Sequence, residues 1–186
     1  MLPSIFFAST FFVATALAHG NITSPPARQP GPAMQKICGN AAVAAILADG
    51  TAPLEDIPSN GSPKCNIGLC KGAQFADNQK NVQTFAPGQK VAFNAQLPIP
   101  HEGPCNVSII NTATNKAIGQ PLLVFDSYAD EKLAQLPPNN TAFSVTMPQN
   151  LGAACQKPGE CTMQWFWFGT SAQQTYENCV DFVMSA

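Results

Sequence analysis

His19 and His101 are the only histidines in this chain of 186 residues, and their positions give the first a chemistry that the second lacks. Residues 1–18 form an apolar run (Ile5, Phe6, Phe7, Phe11, Phe12, Val13, Leu17) that closes in Ala16-Leu17-Ala18. Signal peptidase accepts that small-x-small ending, so a signal peptide over 1–18 is expected, with His19 as the mature N-terminus. A terminal histidine offers two nitrogen donors, its α-amine and ring Nδ1, spaced to chelate one metal ion. While the leader is attached the amine is an amide and the chelate does not exist. A third nitrogen has one source, Nε2 of His101.

Three nitrogens in a T leave tetragonal positions open. That suits Cu(II), the divalent ion that nitrogen sites bind most tightly. Two histidines without a cysteine or carboxylate ligand argue against structural zinc, which takes four protein ligands. Taken singly, each histidine has an ordinary explanation, as a chance terminus or a satisfied mid-chain ring. Taken together they favour a metal centre.

The rest of the composition fits an extracellular protein. Seven cysteines are many for a cytosolic chain of this size. Asn21-Ile-Thr, Asn60-Gly-Ser, Asn106-Val-Ser and Asn139-Asn-Thr are glycosylation acceptors, which support secretion only in sum. The run at 1–18 is short for a membrane span, which needs roughly 20 apolar residues, and no second such run follows. Charge is sparse and nearly balanced at −2, with no basic stripe for a nucleic acid or an anionic membrane. A neutral polymer such as an insoluble polysaccharide is compatible with that surface, and a secreted monomer is expected.

The elements that must hold the histidines read mostly as β. His19 to Pro32 is rich in Pro and Gly and predicts a loop. Cys38 to Ala48 is Ala-rich with helical spacing, and Pro53 to Lys64 reads as a surface loop. Short β-branched or aromatic runs follow at 89–96, 106–112, 121–125, 142–147, 161–168 and 179–184, each bounded by Pro, Gly or Asn. The run at 161–168 is apolar on both parities, as a central strand would be. This spacing predicts an all-β fold, a two-sheet antiparallel sandwich of immunoglobulin or fibronectin III type with long loops and a short helix. Without a linker or repeat, 19–186 reads as one domain with nothing appended. Three disulfides are expected, Cys65–Cys70, Cys155–Cys161 and Cys38–Cys179, with Cys105 left over.

Several short motifs then agree in order and separation. His19-Gly20 followed by Pro25-Pro26-Ala27-Arg28 is similar to the start of mature lytic polysaccharide monooxygenases. His101-Glu102-Gly103-Pro104 resembles the segment around the second copper ligand of fungal members, and Gln174-Thr175-Tyr176-Glu177-Asn178-Cys179 resembles their Gln-x-Tyr-x-x-Cys motif. Cys65 to Gly72, with Phe75-Ala76-Asp77-Asn78, looks like auxiliary activity family 16 in particular. The resemblance covers the mature chain. It implies a histidine brace in which His19 and His101 hold copper, Tyr176 fills an axial position and Gln174 hydrogen-bonds Tyr176 or the oxygen co-substrate. Trp167 matches a tryptophan behind the copper. The implied reaction is oxidative cleavage of β-1,4-linked polysaccharide, with an external electron donor and peroxide or dioxygen as co-substrates. Ile99 stands where a smaller residue is usual and is expected to crowd the copper.

Two other readings stay open. One is a non-catalytic copper- or polysaccharide-binding protein of the same architecture. The other is a glycoside hydrolase using two placed carboxylates, for which Asp126, Asp130 and Glu131 are available without a recognisable signature around them.

Overall fold

A computed structural model describes residues 19–185, so the expected signal peptide lies outside the described residues. The strands are β1 (His19–Ser24), β2 (Gln83–Phe85), β3 (Lys90–Ile99), β4 (Gly103–Asn111), β5 (Lys116–Ala117), β6 (Leu123–Tyr128), β7 (Ala142–Thr146), β8 (Cys161–Gly169) and β9 (Gln174–Met184). The helices are α1 (Pro32–Cys38), α2 (Asn40–Ala48) and α3 (Pro138–Thr141). One sheet runs β1-β3-β7. The other runs β2-β9-β8-β4-β5, with β6 also paired to β4. All pairings are antiparallel except β2 with β9, which is parallel.

Period-2 patterning explains how the sheets meet. In β3, Val91, Phe93 and Ala95 are buried while Lys90, Ala92, Asn94 and Gln96 are exposed, the alternation of a half-buried strand. These residues pack with Phe143 and Val145 of β7 against Val107, Ile109, Met163, Trp165 and Val180 of the facing sheet. Phe125 meets Phe143 edge-on at 5.8 Å between ring centroids and closes the sandwich at one side. The strand expected to be central is central: β8 pairs with β4 on one side and β9 on the other.

β9 is buried along both faces from Tyr176 to Phe182. Tyr176, Val180 and Phe182 join the inter-sheet core. The opposite parity carries Glu177, Cys179 and Asp181, and the segment between β1 and β2 folds over it. That segment has a small core of its own, built from Met34, Cys38, Ala42, Ile46, Ile57 and Ala73. Arg28 reaches Asp181 with two hydrogen bonds, Nε–Oδ2 2.8 Å and Nη2–Oδ1 2.7 Å, and Nη1 donates to the Ala73 carbonyl at 3.2 Å.

Three expectations need correction. Residues 19–24 form an edge strand, not a loop, because the prolines begin only at Pro25 and leave the first six residues able to pair with β3. The predicted helix at 38–48 is α2, which begins only at Asn40 because Gly39, at a φ of 90°, separates it from α1, a preceding helix that was not expected. The disulfides are Cys38–Cys65, Cys70–Cys179 and Cys155–Cys161, so one expected pair holds and two are exchanged. Loop length suggested Cys65–Cys70, but the turn at Cys70 packs on the outer face of β9. There Cys179 stands with its Cα 5.1 Å from that of Cys70, while Cys38 at the end of α1 has its Cα 4.9 Å from that of Cys65. Both lie inside the range a disulfide spans. Cys105 is free and buried in β4, as expected.

The Arg28–Asp181 pair is almost wholly removed from water. Breaking such a pair leaves an uncompensated buried charge. Asp181→Ala should therefore lower unfolding free energy by about 3–5 kcal/mol, measured by chemical denaturation, and a change below about 1 kcal/mol would show that Arg28 escapes to solvent.

Candidate metal centre

His19 opens β1 and pairs with Ile99 near the end of β3. Gly20 fixes its height. The Gly20 amide donates to the Thr51 carbonyl at 3.0 Å, and a Cβ on Gly20 would stand 2.9 Å from Trp167 Cζ3. The His19 ring places Nε2 2.9 Å from Asp49 Oδ2. Asp49 is in turn held by Thr51, whose amide and hydroxyl both donate to Oδ1, at 2.8 and 2.5 Å. Partial burial pushes the Asp49 carboxyl upward. The Thr51 hydrogen bonds, with the charges of His19 and Lys71, outweigh that and hold it below the ordinary carboxylate value.

His101 follows β3 and is buried, at 7% exposure, rather than displayed on an open loop. Its Cβ would lie 3.2 Å from a Cβ on Gly169. Both ring nitrogens are shut off from solvent and neither has a hydrogen-bond partner. Nδ1 faces Glu131 Oε1 at 3.7 Å, beyond hydrogen-bond reach. A buried, unpaired polar atom costs about 1–3 kcal/mol, and a metal ion on Nε2 would remove that penalty. The donor set therefore fits a metal that accepts imidazole nitrogen. Glu131 Oε2 also accepts from the Glu102 amide at 2.6 Å, which ties the loop after β6 to the residue following His101.

Trp167 of β8 joins these pieces. Its Nε1–H donates to the His101 carbonyl at 3.1 Å. Its ring stacks on Tyr176 with centroids 4.4 Å apart, and β8–β9 register sets Trp167 opposite Tyr176 and Gly169 opposite Gln174. The Tyr176 hydroxyl donates to Gln174 Oε1 at 2.8 Å. Burial, with the negative charges of Glu55, Asp56 and Asp49 nearby, raises the phenol far above its ordinary value, so it keeps its proton. One indole thus touches Gly20, the neighbour of His19, the His101 carbonyl and the Tyr176 ring, and Gln174 joins through Tyr176. Ile99 pairs with His19 across β1 and β3 and is 40% exposed.

Sequence reasoning missed Asp49 and Lys71. Asp49-Gly50-Thr51 carries a turn signature, Asp followed by Gly, but nothing in it points to His19. Lys71 is buried with a positive φ of 54°, and Nζ donates to the carbonyls of Gly50 and Ala52, at 2.9 and 2.8 Å. Among the described residues, one trio of metal-ligand types converges, Cys70, Glu177 and Cys179. Its two sulfurs are joined in a disulfide, so it is not a metal site. Of the carboxylates considered for hydrolysis, Asp130 Oδ1 accepts from the Lys132 amide at 2.9 Å and Glu131 Oε2 from the Glu102 amide.

A family model described as lytic polysaccharide mono-oxygenase, cellulose-degrading, matches residues 19–182. A search of curated protein sequences finds no match. Among solved structures, a chitin-binding domain from Burkholderia pseudomallei has 14% identity and a TM-score of 0.48, covering 90% of this chain and 100% of that one. The cellulose-active enzyme CelS2 in complex with copper has 12% identity and a TM-score of 0.48, with 89% and 98% covered. An auxiliary activity family 15 monooxygenase from Thermobia domestica in the Cu(I) state has 17% identity and a TM-score of 0.44, with 89% and 98% covered.

Two expectations follow from the packing. A Cβ on Gly103 would overlap the Phe168 carbonyl oxygen, so Gly103→Ala must part β4 from β8 beside His101. It should destabilise by roughly 1–3 kcal/mol or more in urea titration. The second concerns Lys71, whose ammonium burial lowers to about 8 against the attraction of Asp49 and Glu177. In the unfolded chain it titrates near 10.5. Between these values the unfolded state binds more protons, so this group makes stability rise with pH. Relative to Lys71→Met, the parent should gain up to about 1.4 kcal/mol per pH unit across that window; a difference that is flat or falling with pH would contradict this.

Proposed function

The chain belongs to the lytic polysaccharide mono-oxygenase family, and we propose that it is a secreted, copper-dependent member that oxidatively cleaves β-1,4-linked polysaccharide. Cellulose is the favoured substrate and chitin the second. The observation that carries this reading is the buried His101 ring, whose two nitrogens lack hydrogen bonds and whose carbonyl is fixed by the same Trp167 that abuts Gly20 and stacks on Tyr176. The motifs around Cys65–Gly72 further support a kinship with auxiliary activity family 16.

In this reading Nδ1 and the α-amine of His19, the amine freed by cleavage after Ala18, would hold a copper ion together with Nε2 of His101. When bound, copper supplies the one-electron chemistry that lets an external donor activate peroxide or dioxygen for hydrogen abstraction beside the glycosidic link. Tyr176, stacked on Trp167, would stand beside the ion. Its hydroxyl keeps its proton and donates to Gln174 Oε1, so that bond orients the Gln174 amide, which would act beside the oxygen co-substrate. Ile99 and Leu133, both exposed, would offer apolar contact to sugar rings, since among the described residues no aromatic side chain is exposed.

The test uses protein secreted with its own leader, loaded with copper and given reductant and insoluble cellulose, chitin or hemicellulose. Oxidised oligosaccharides that require reductant and vanish on chelation are expected by mass analysis. A version beginning Met-His19, or His101→Ala, should lose most Cu(II) affinity. Unchanged affinity with the extra methionine would remove the chelate from consideration. Copper binding without oxidised products would instead make the protein a non-catalytic binder.

Tyr176→Phe should retain copper but change its spectrum and turnover, while Gln174→Ala should leave affinity nearly intact and slow cleavage. Since the two side chains share one hydrogen bond, their effects should be non-additive in a double-mutant cycle. Parent-rate cleavage by both single variants would assign them no role.

A further inference from the structure

The His19 ring is held through the nitrogen that the proposed chelate does not use. Nε2 lies 2.9 Å from Asp49 Oδ2. Nδ1, on the backbone side of the imidazole, is the nitrogen that can share a metal with the residue's own α-amine. A carboxylate accepts only, so Asp49 selects the tautomer protonated on Nε2, which keeps Nδ1 a lone-pair donor. We propose that Asp49 is a positioning residue for the copper site, fixing both the tautomer and the rotation of His19. This rests on the copper reading above.

Asp49 is itself held more firmly than an ordinary surface carboxylate. Its other oxygen accepts from the Thr51 amide and hydroxyl. The residues on either side of Thr51 are clamped by buried Lys71, through the Gly50 and Ala52 carbonyls. Lys71 follows Cys70, which the disulfide to Cys179 pins against β9, and the Thr51 carbonyl accepts from the Gly20 amide. One short loop therefore grips β1 by the backbone next to His19 and by the His19 ring. Outer-shell partners of metal-bound histidines matter about 10–100-fold for affinity or activity, and this loop has the construction of one.

The rigid Thr51 amide makes the proposal testable by a substitution that preserves the loop. In Asp49→Asn the side-chain oxygen must stay on Thr51, because an amide NH2 there would meet a donor. The NH2 is then turned to His19 and requires Nε2 to accept. That moves the ring proton to Nδ1, the copper nitrogen. Asp49→Ala removes the preference without reversing it. With two histidines in the chain, nitrogen-15 histidine labelling reads both rings of the metal-free protein directly.

The experiment compares secreted parent, Asp49→Asn and Asp49→Ala by ring nitrogen shifts, Cu(II) affinity, copper spin resonance and melting temperature. Expected are an Nε2–H tautomer of His19 in the parent, an Nδ1–H tautomer in Asp49→Asn, and copper affinity weakened by about 10–100-fold. The loss should be larger in Asn than in Ala, although Asn better preserves the Thr51 contacts and the melting temperature. A purely structural role for Asp49 would give the reverse order. Parent tautomer and affinity within about threefold in both variants would overturn the positioning role while leaving the copper reading intact. A parent that binds no copper would overturn both.

Discussion

The indole of Trp167 is the constraint on which the site depends. It sits on β8, the central strand, and is wholly buried. One face stacks on Tyr176, its Nε1–H is bonded to the His101 backbone, and its far edge meets Gly20. A buried tryptophan N–H needs a partner, and here the partner is the backbone of a candidate ligand, so satisfying the core also fixes the site. Glycine at 20 is required for the same reason: a methyl group would meet the ring. The geometry of the centre is thus an extension of core packing, which is dense and resists small displacements.

Behind this hub lies a second layer that the β-sandwich alone does not need. β9 has acidic residues on its outer parity, and in an ordinary two-layer sandwich Glu177 and Asp181 would face water. Instead the long segment before β2 covers them and supplies each carboxylate with a partner, although Glu177 Oε2 keeps none. Arg28 pairs with Asp181. The Cys70 amide donates to Glu177, whose carboxyl burial raises above its ordinary value, while hydrogen bonds from Gln164, Cys70 and Lys71 and the Lys71 charge offset that. Lys71 is shared between this layer and the loop beneath His19. The cover is consequently a structural part of the site and not decoration on the sheet.

Where side-chain period decides an element, the sequence was readable. Val91, Phe93 and Ala95 announced β3, and the two-parity apolar run of β8 announced a central strand. The two histidines were marked by their chemistry and position, and Gln174-x-Tyr176 by its resemblance to a family motif. β1 was hidden by the prolines that follow it, since composition over 19–32 averages an extended edge with the turn beyond. The disulfides failed for a different reason. Cys65 and Cys70 are near in sequence, but partner choice depends on which face of β9 the turn at Cys70 meets, a long-range fact. Asp49 is equally invisible: its partner His19 lies thirty positions earlier, joined only through a sheet edge and a clamped turn.

The remaining physical problem is how a chain end can serve as a ligand. On the proposed processing His19 becomes the first residue, and termini are ordinarily the least ordered part of a domain. Freezing one into a single geometry opposes about 1–2 kcal/mol of backbone entropy per residue, before the ring rotamer is counted. The structure meets this at three levels. β3 pairs with β1 from its first residue, the Thr51 carbonyl takes the Gly20 amide, and Asp49 takes the ring. No single one of these would suffice, because an edge strand frays and a lone surface carboxylate contact contributes little. The last two share an origin in the Lys71-held turn and add to the strand pairing, so His19 is held in place without a metal. His101 needs no such device, being buried within the fold with its carbonyl bonded to Trp167. The asymmetry between the two histidines, one clamped from outside and one built into the core, is what a site assembled from a terminus and a mid-chain residue requires.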